Sequence, residues 1–141
     1  MKPINILLAE DNERDILLTK EVLKDNTITV IKDGWEAVQF LEKKGKYSNI
    51  NLPDLILLDV NLPKINGQEV LKSIKLNNDI KSTPVIALTT YSSQQDILEA
   101  HQNYANCFIA KPVDADNFLK VIASTEDFWI NIVQLPKQSN N

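Results

Sequence analysis

Glycine, cysteine and histidine are all scarce in this chain. Three glycines in 141 residues leave no room for a Gly-rich phosphate loop, which needs several within one turn. The single cysteine, Cys107, excludes an internal disulfide and fits a reducing cytoplasm. It falls in an apolar run, where an inert core thiol is the expected state. The single histidine, His101, lies among polar neighbours and reads as a surface residue rather than a phosphorelay or metal ligand. No apolar run approaches the roughly 20 residues of a membrane span. The first, at 4–9, meets Glu10 and Asp11 at once and is too short for a secretory leader. A net charge of −4 and a pI near 5.0 give no general attraction to nucleic acid or to an anionic membrane.

What is present is enough for one core. With 43% hydrophobic and 24% charged residues, the composition is that of an ordinary globular domain, expected to span 1–136 with a polar, frayed tail at 137–141. Short apolar runs recur at 4–9, 27–31, 55–58, 85–88 and 107–110. The second alternates, as an edge strand does, and the third is apolar throughout, as a strand covered on both faces must be.

Amphipathic stretches lie between the runs. The spacing predicts a helix at 13–24 with Leu18, Val22 and Leu23 inward, after an N-cap at Asp11 or Asn12. Others are predicted at 35–44 (Ala37, Val38, Leu41), 67–76 (Val70, Leu71, Ile74) and 93–103 (Ile97, Leu98, Ala100), and a last one from near Asp114. Asn66-Gly67 reads as the turn into the third of these, and Trp35 as a packing residue at the start of the second. Strict alternation of strand and helix implies an α/β fold. The expected form is a flavodoxin-like, doubly wound, five-stranded parallel sheet of order 2-1-3-4-5, with helices on both faces.

In such a sheet the ligand crevice lies beyond the carboxyl ends of the strands. The first strand runs into Glu10 and Asp11, the third into Asp59, the fourth into Thr89 and the fifth into Lys111. Each alone has a bland reading: a solvated helix cap, a strand terminator, a turn hydroxyl, a surface charge. Together they place three carboxylates, a hydroxyl and an ammonium on one rim. Three crowded carboxylates repel one another, and a hard oxygen-seeking cation such as Mg²⁺ relieves that repulsion. Glu10, Asp11 and Asp59 can offer side-chain oxygens, and a backbone carbonyl just after Asp59 can add another. A metal-held carboxylate beside a lysine suits a phosphoryl acceptor, since aspartate forms an acyl phosphate and the cations neutralise the transferred oxygens.

The pieces Ile6-Leu7-Leu8-Ala9-Glu10-Asp11-Asn12, Pro53-Asp54-Leu55-Ile56-Leu57-Leu58-Asp59, Leu62-Pro63 with Asn66-Gly67, Pro84-Val85-Ile86-Ala87-Leu88-Thr89, and Lys111-Pro112 resemble the response-regulator receiver family over nearly the whole chain. The resemblance implies that Asp59 takes a phosphoryl group from the phosphohistidine of a sensor kinase. It also implies that Glu10, Asp11, Asp59 and the Asn61 carbonyl hold Mg²⁺, and that Lys111 contacts the phosphate. Thr89 and Phe108 become the switch pair, and the Lys111–Pro112 bond is cis. Glu10 stands where aspartate is commoner in the family, and its longer arm is expected to reach the metal through water. Phe108 lacks the tyrosine hydroxyl of many relatives. Residues 43–53, 59–64 and 128–136 further resemble single-domain regulators that partner bacterial phytochromes, which suggests a dimerising receiver served by a light-sensing kinase.

The tail adds a physical argument of its own. Phe118, Ile122, Phe128, Trp129, Ile132 and Val133 continue a helical stripe beyond what a sheet of this size needs to cover. Left in water they would form an apolar patch, so a twofold homodimer through this helix is expected over a fold-back onto the domain. The chain ends soon after, and the response is expected to leave through the surface of the fourth helix, fifth strand and fifth helix. Two rival functions stand beside the switch. A phosphohydrolase would want a second carboxylate two residues after Asp59, where Asn61 stands, so the expected chemistry is self-phosphorylation and slow autodephosphorylation only. A receiver-like scaffold working without phosphorylation is the other.

Overall fold

The structure, a computed structural model, describes residues 3–90 and 107–111. Along the chain these form β1 (Asn5–Ala9), α1 (Glu13–Val22), β2 (Thr27–Ile31), α2 (Gly34–Leu41), a 3-10 turn (Gly45–Tyr47), β3 (Leu55–Asp59), α3 (Gly67–Leu76), β4 (Val85–Thr90) and β5 (Cys107–Lys111). The strands run parallel in the order β2-β1-β3-β4, with the backbone of β5 beside β4. The predicted helices at 93–103 and from Asp114 onward, with the tail stripe, lie outside the described residues.

Each described helix begins on a short polar side chain that takes an orphan backbone N–H, which is why these residues start helices. Asn12, not Asp11, caps α1 by accepting from the Asp15 N–H at 3.0 Å. Asp33 caps α2 from the Glu36 N–H at 2.8 Å, and Asn66 caps α3 from the Glu69 N–H at 3.1 Å. The second helix stops at Leu41, short of the predicted 44, because Lys43 takes a left-handed φ of 55°. That is a conformation a continuing helix cannot use.

Side chains of the central strands alternate between two apolar layers. Leu7, Ala9, Ile56, Leu58, Val85 and Ala87 meet α2 and α3 on one face. Ile6, Leu8, Leu55, Leu57, Ile86 and Leu88 meet Ile16 and Leu23 on the other. All five residues of β3 are buried, as its unbroken apolar sequence requires, whereas Thr27 and Thr29 of the edge strand β2 face water. Each fully buried Leu or Ile contributes about 1.5–3 kcal/mol against leaving it in water.

The inward faces of α2 and α3 are as predicted: Ala37 and Leu41 are buried with Val38 half-buried, and Val70, Leu71 and Ile74 are buried. The face of α1 is rotated from the predicted one. Ile16, Thr19 and Leu23 are buried, Leu18 is only half-buried and Leu17 is exposed, while the Val22 side chain lies outside the described set. A threonine can take the inward position because its hydroxyl donates to the Asp15 carbonyl at 2.8 Å, leaving no polar atom unsatisfied. Trp35 is 52% exposed rather than packed, since it stands in the first turn of α2 at the rim. Among the described residues no helix is long and apolar enough to cross a membrane.

Candidate functional site

The carboxyl ends of β1 and β3 are neighbours, because Ala9 pairs with Leu58. Glu10, Asp11 and Asp59 are therefore delivered together by adjacent strands. Glu10 follows β1 and is fully buried; its N–H donates to the Ile31 carbonyl at 2.9 Å, tying the turn to the end of β2. Its carboxylate curls back over the turn, where Oε2 accepts from the Asp11 N–H at 3.1 Å and the Asn12 N–H at 3.3 Å. Asp11 is exposed. Asp59 is the last residue of β3 and is 4% exposed. Its Oδ1 accepts from the Asn61 N–H at 2.9 Å, which orients the carboxylate toward the loop that follows.

One oxygen from each of these three residues lies within 4.8 Å of the other two. The donor set is all carboxylate, with no sulfur or imidazole among it, so it fits a hard divalent cation of the Mg²⁺ or Mn²⁺ kind rather than zinc or copper. The expected group of Glu10, Asp11 and Asp59 is thus brought together. Asn61 stands two residues beyond Asp59, exposed at the same rim, with its N–H engaged by the Asp59 carboxylate.

Backbone register places the other expected residues at the same end of the sheet. Asp59 pairs with Leu88, so Thr89 is one residue further along β4. Thr89 pairs in turn with Ala110, Thr90 with Lys111, and Phe108 with Ala87. The side chains of Thr89, Phe108 and Lys111 lie outside the described set, as do Pro112 and the expected interface residues Phe118, Ile122, Phe128, Trp129, Ile132 and Val133.

Two glycines shape the loop behind Asp59; Asn66-Gly67 is the predicted turn into α3, whereas the close backbone approaches at both glycines went unread in the sequence. A Cβ on Gly67 would stand 2.3 Å from both the Asp59 carbonyl oxygen and the Val60 Cα. Its N–H donates to the Val60 carbonyl at 3.0 Å. A Cβ on Gly34 would stand 1.6 Å from the Ile65 carbonyl oxygen, and the Gly34 N–H donates to the Pro63 carbonyl at 3.1 Å. Between those anchors Lys64 holds a left-handed φ of 68°, and its ammonium lies 3.6 Å from the Asp33 carboxylate. The available signal was positional: in a chain with three glycines, two directly follow a helix N-cap, as Asp33-Gly34 and Asn66-Gly67.

The chain is similar to known proteins over nearly its whole length. Residues 6–123 match the response regulator receiver domain family. Response regulator Rcp1 of Synechocystis sp. is 41% identical over 138 residues, which cover 95% of this chain and 94% of that protein. The crystal structure of the phosphorylated cyanobacterial phytochrome response regulator RcpA matches with a TM-score of 0.84 at 37% identity, covering 92% of this chain and 95% of that one. The Mn²⁺-bound form of Rcp1 matches at 0.81 and 40% identity, covering 90% and 94%.

Proposed function

The chain belongs to the response regulator receiver domain family, and from that premise we propose that it is a metal-dependent phosphorylation switch whose acceptor is Asp59. The observation that carries this reading is the meeting of Glu10, Asp11 and a buried Asp59 within 4.8 Å at the carboxyl edge of the sheet. An Asp59 oxygen attacks the phosphorus of a phosphohistidine, the P–N bond breaks, and the imidazole leaves as an aspartyl phosphate forms. Asp11, Asp59 and the Asn61 carbonyl would hold Mg²⁺, with Glu10 acting through water. When bound, the ion supplies positive charge to the phosphoryl oxygens. Lys111 supplies the second positive charge and Thr89 the hydroxyl that donates to a phosphoryl oxygen.

Asn61 offers no carboxylate to act as acid or base two residues beyond the acceptor, which suits a switch with slow self-dephosphorylation rather than a turnover enzyme. The full fold on this reading is the five-stranded doubly wound form, completed by helices after β4 and β5. Phosphorylation adds about −1.5 to −2 charges at the rim. Thr89 and Phe108 would carry that change to the surface of the fourth helix, β5 and the fifth helix. The similarity to regulators named for phytochromes supports a phytochrome-like sensor histidine kinase as donor. The apolar stripe through Phe118, Ile122, Phe128, Trp129, Ile132 and Val133 supports a homodimer.

The test is intact mass after incubation with acetyl phosphate and Mg²⁺, then with a phosphorylated histidine kinase. A single phosphoryl adduct on the native chain, absent from Asp59→Asn and in EDTA, is the expected result. No adduct from either donor overturns the reading.

A further inference from the structure

We infer that the turn between β2 and α2 is a positioning element for the metal site, with Gly34 as its key residue; this rests on the reading of Asp59 and its loop given above. The segment between Asp59 and α3 carries Asn61. Its start is tied to β4 by the Val60 N–H on the Leu88 carbonyl at 3.0 Å, and Val60 and Leu62 are buried, but it makes no strand. Close backbone contacts fix its two ends further. Gly67 lets the start of α3 close against Asp59 and Val60. Gly34 does the same from the neighbouring helix, and it binds twice: its N–H takes the Pro63 carbonyl at 3.1 Å, and its bare Cα admits the Ile65 carbonyl where any side chain would collide.

Lys64, between those two carbonyls, is bent into the left-handed region at φ 68°, a conformation that costs a side-chain-bearing residue and persists only where its surroundings impose it. The Asp33 carboxylate, which also caps α2, lies 3.6 Å from the exposed Lys64 ammonium beside the same bend. Residues 33 and 34 thus set the path of 63–65, and through it the position of the Asn61 carbonyl relative to Asp59. Gly34 touches neither the metal nor the phosphoryl group. It acts through the loop, as groups behind first ligands do, and such groups typically change metal affinity about tenfold or more.

The experiment measures Mg²⁺ affinity by calorimetric titration of the native chain and of Gly34→Ala, with urea unfolding in EDTA to show that each is folded. Folded Gly34→Ala is expected to bind Mg²⁺ about tenfold more weakly and to be labelled by acetyl phosphate correspondingly more slowly at subsaturating metal. Native-like Mg²⁺ affinity in folded Gly34→Ala overturns the inference and leaves the acceptor role of Asp59 standing. A native chain that neither binds Mg²⁺ nor accepts phosphoryl overturns both. Should Gly34→Ala fail to fold, hydrogen exchange in the native chain decides, because coupling between two sites is reciprocal. Mg²⁺ is then expected to slow exchange of the Gly34 N–H along with that of Asn61. Slowing at Asn61 alone overturns the inference.

Discussion

Gly67 is seated against the backbone of Asp59, so closely that a single added carbon would lie 2.3 Å from the Asp59 carbonyl oxygen. The position of Asp59 is therefore set by the helix that follows it as well as by the strand that carries it. The start of α3 is drawn in by the Gly67 N–H on the Val60 carbonyl at 3.0 Å.

Replacing Gly67 with alanine must push α3 away from the end of β3. The contact is backbone against backbone and cannot yield by a side-chain rotation, so the expected loss is roughly 1–3 kcal/mol, the usual scale for overpacking a tight site. Urea unfolding should show a lower midpoint with an unchanged slope, and phosphoryl labelling should fall more than stability alone explains. An unchanged midpoint would mean that the close approach is not maintained in solution.

Removing one charge from the carboxylate group should stabilise the metal-free protein. Asn at position 59 can still accept the Asn61 N–H that Asp59 Oδ1 accepts at 2.9 Å, but it no longer repels Glu10 and Asp11. In EDTA, Asp59→Asn is expected to be more stable by roughly 1–4 kcal/mol, the span for unit charges ~4 Å apart between bulk water and the partly screened surroundings of a protein. Saturating Mg²⁺ should reverse the order, because the metal stabilises only the chain that binds it well. Equal stabilities in EDTA would show that the three carboxylates do not interact.

The legible parts of this molecule are those that a local pattern encodes. Unbroken apolar runs gave away β3 and β4, alternation gave β2, and the residues just past each run put Glu10, Asp11 and Asp59 on one rim. The illegible parts depend on contacts between segments far apart in the chain. Gly34 matters because the Ile65 carbonyl crosses in front of it, and no pattern around residue 34 records that. The inward face of α1 was misplaced because Thr19 looks polar until its hydroxyl is seen bonded to the Asp15 carbonyl. Trp35 was expected to pack because aromatic rings usually do, yet at the first turn of α2 it meets water.

Lys75 gives a pH-dependent expectation. Desolvation lowers the pKa of this half-buried ammonium from 10.5, although it still donates to the Lys81 carbonyl at 3.2 Å. A lysine whose pKa is lower folded than unfolded binds fewer protons in the native state. Stability must therefore rise with pH across the window between the folded value and 10.5. Lys75→Met should lose that rise while leaving the neighbouring α3 core intact. The check is urea midpoints from pH 8 to 10.5 for both chains, and parallel curves would show that the ammonium is not desolvated in solution.

Glu10 and Asp11 should contribute unequally to metal binding, and the geometry fixes the order. Glu10 is buried and its Oε2 already holds the Asp11 and Asn12 N–H groups, so much of its acceptor capacity serves the turn. Asp11 is exposed at the same rim with an oxygen inside the 4.8 Å cluster, which leaves its carboxylate able to meet the ion directly. In Glu10→Gln the amide oxygen can keep both turn bonds while the charge is lost, so the expected effect is that of an outer partner, about tenfold in Mg²⁺ affinity. Asp11→Asn removes a charged direct ligand and should cost more. Calorimetric titration with Mg²⁺ ranks the two variants. A larger loss in Glu10→Gln would make Glu10 the direct ligand, and would require its side chain to leave the turn when the metal binds.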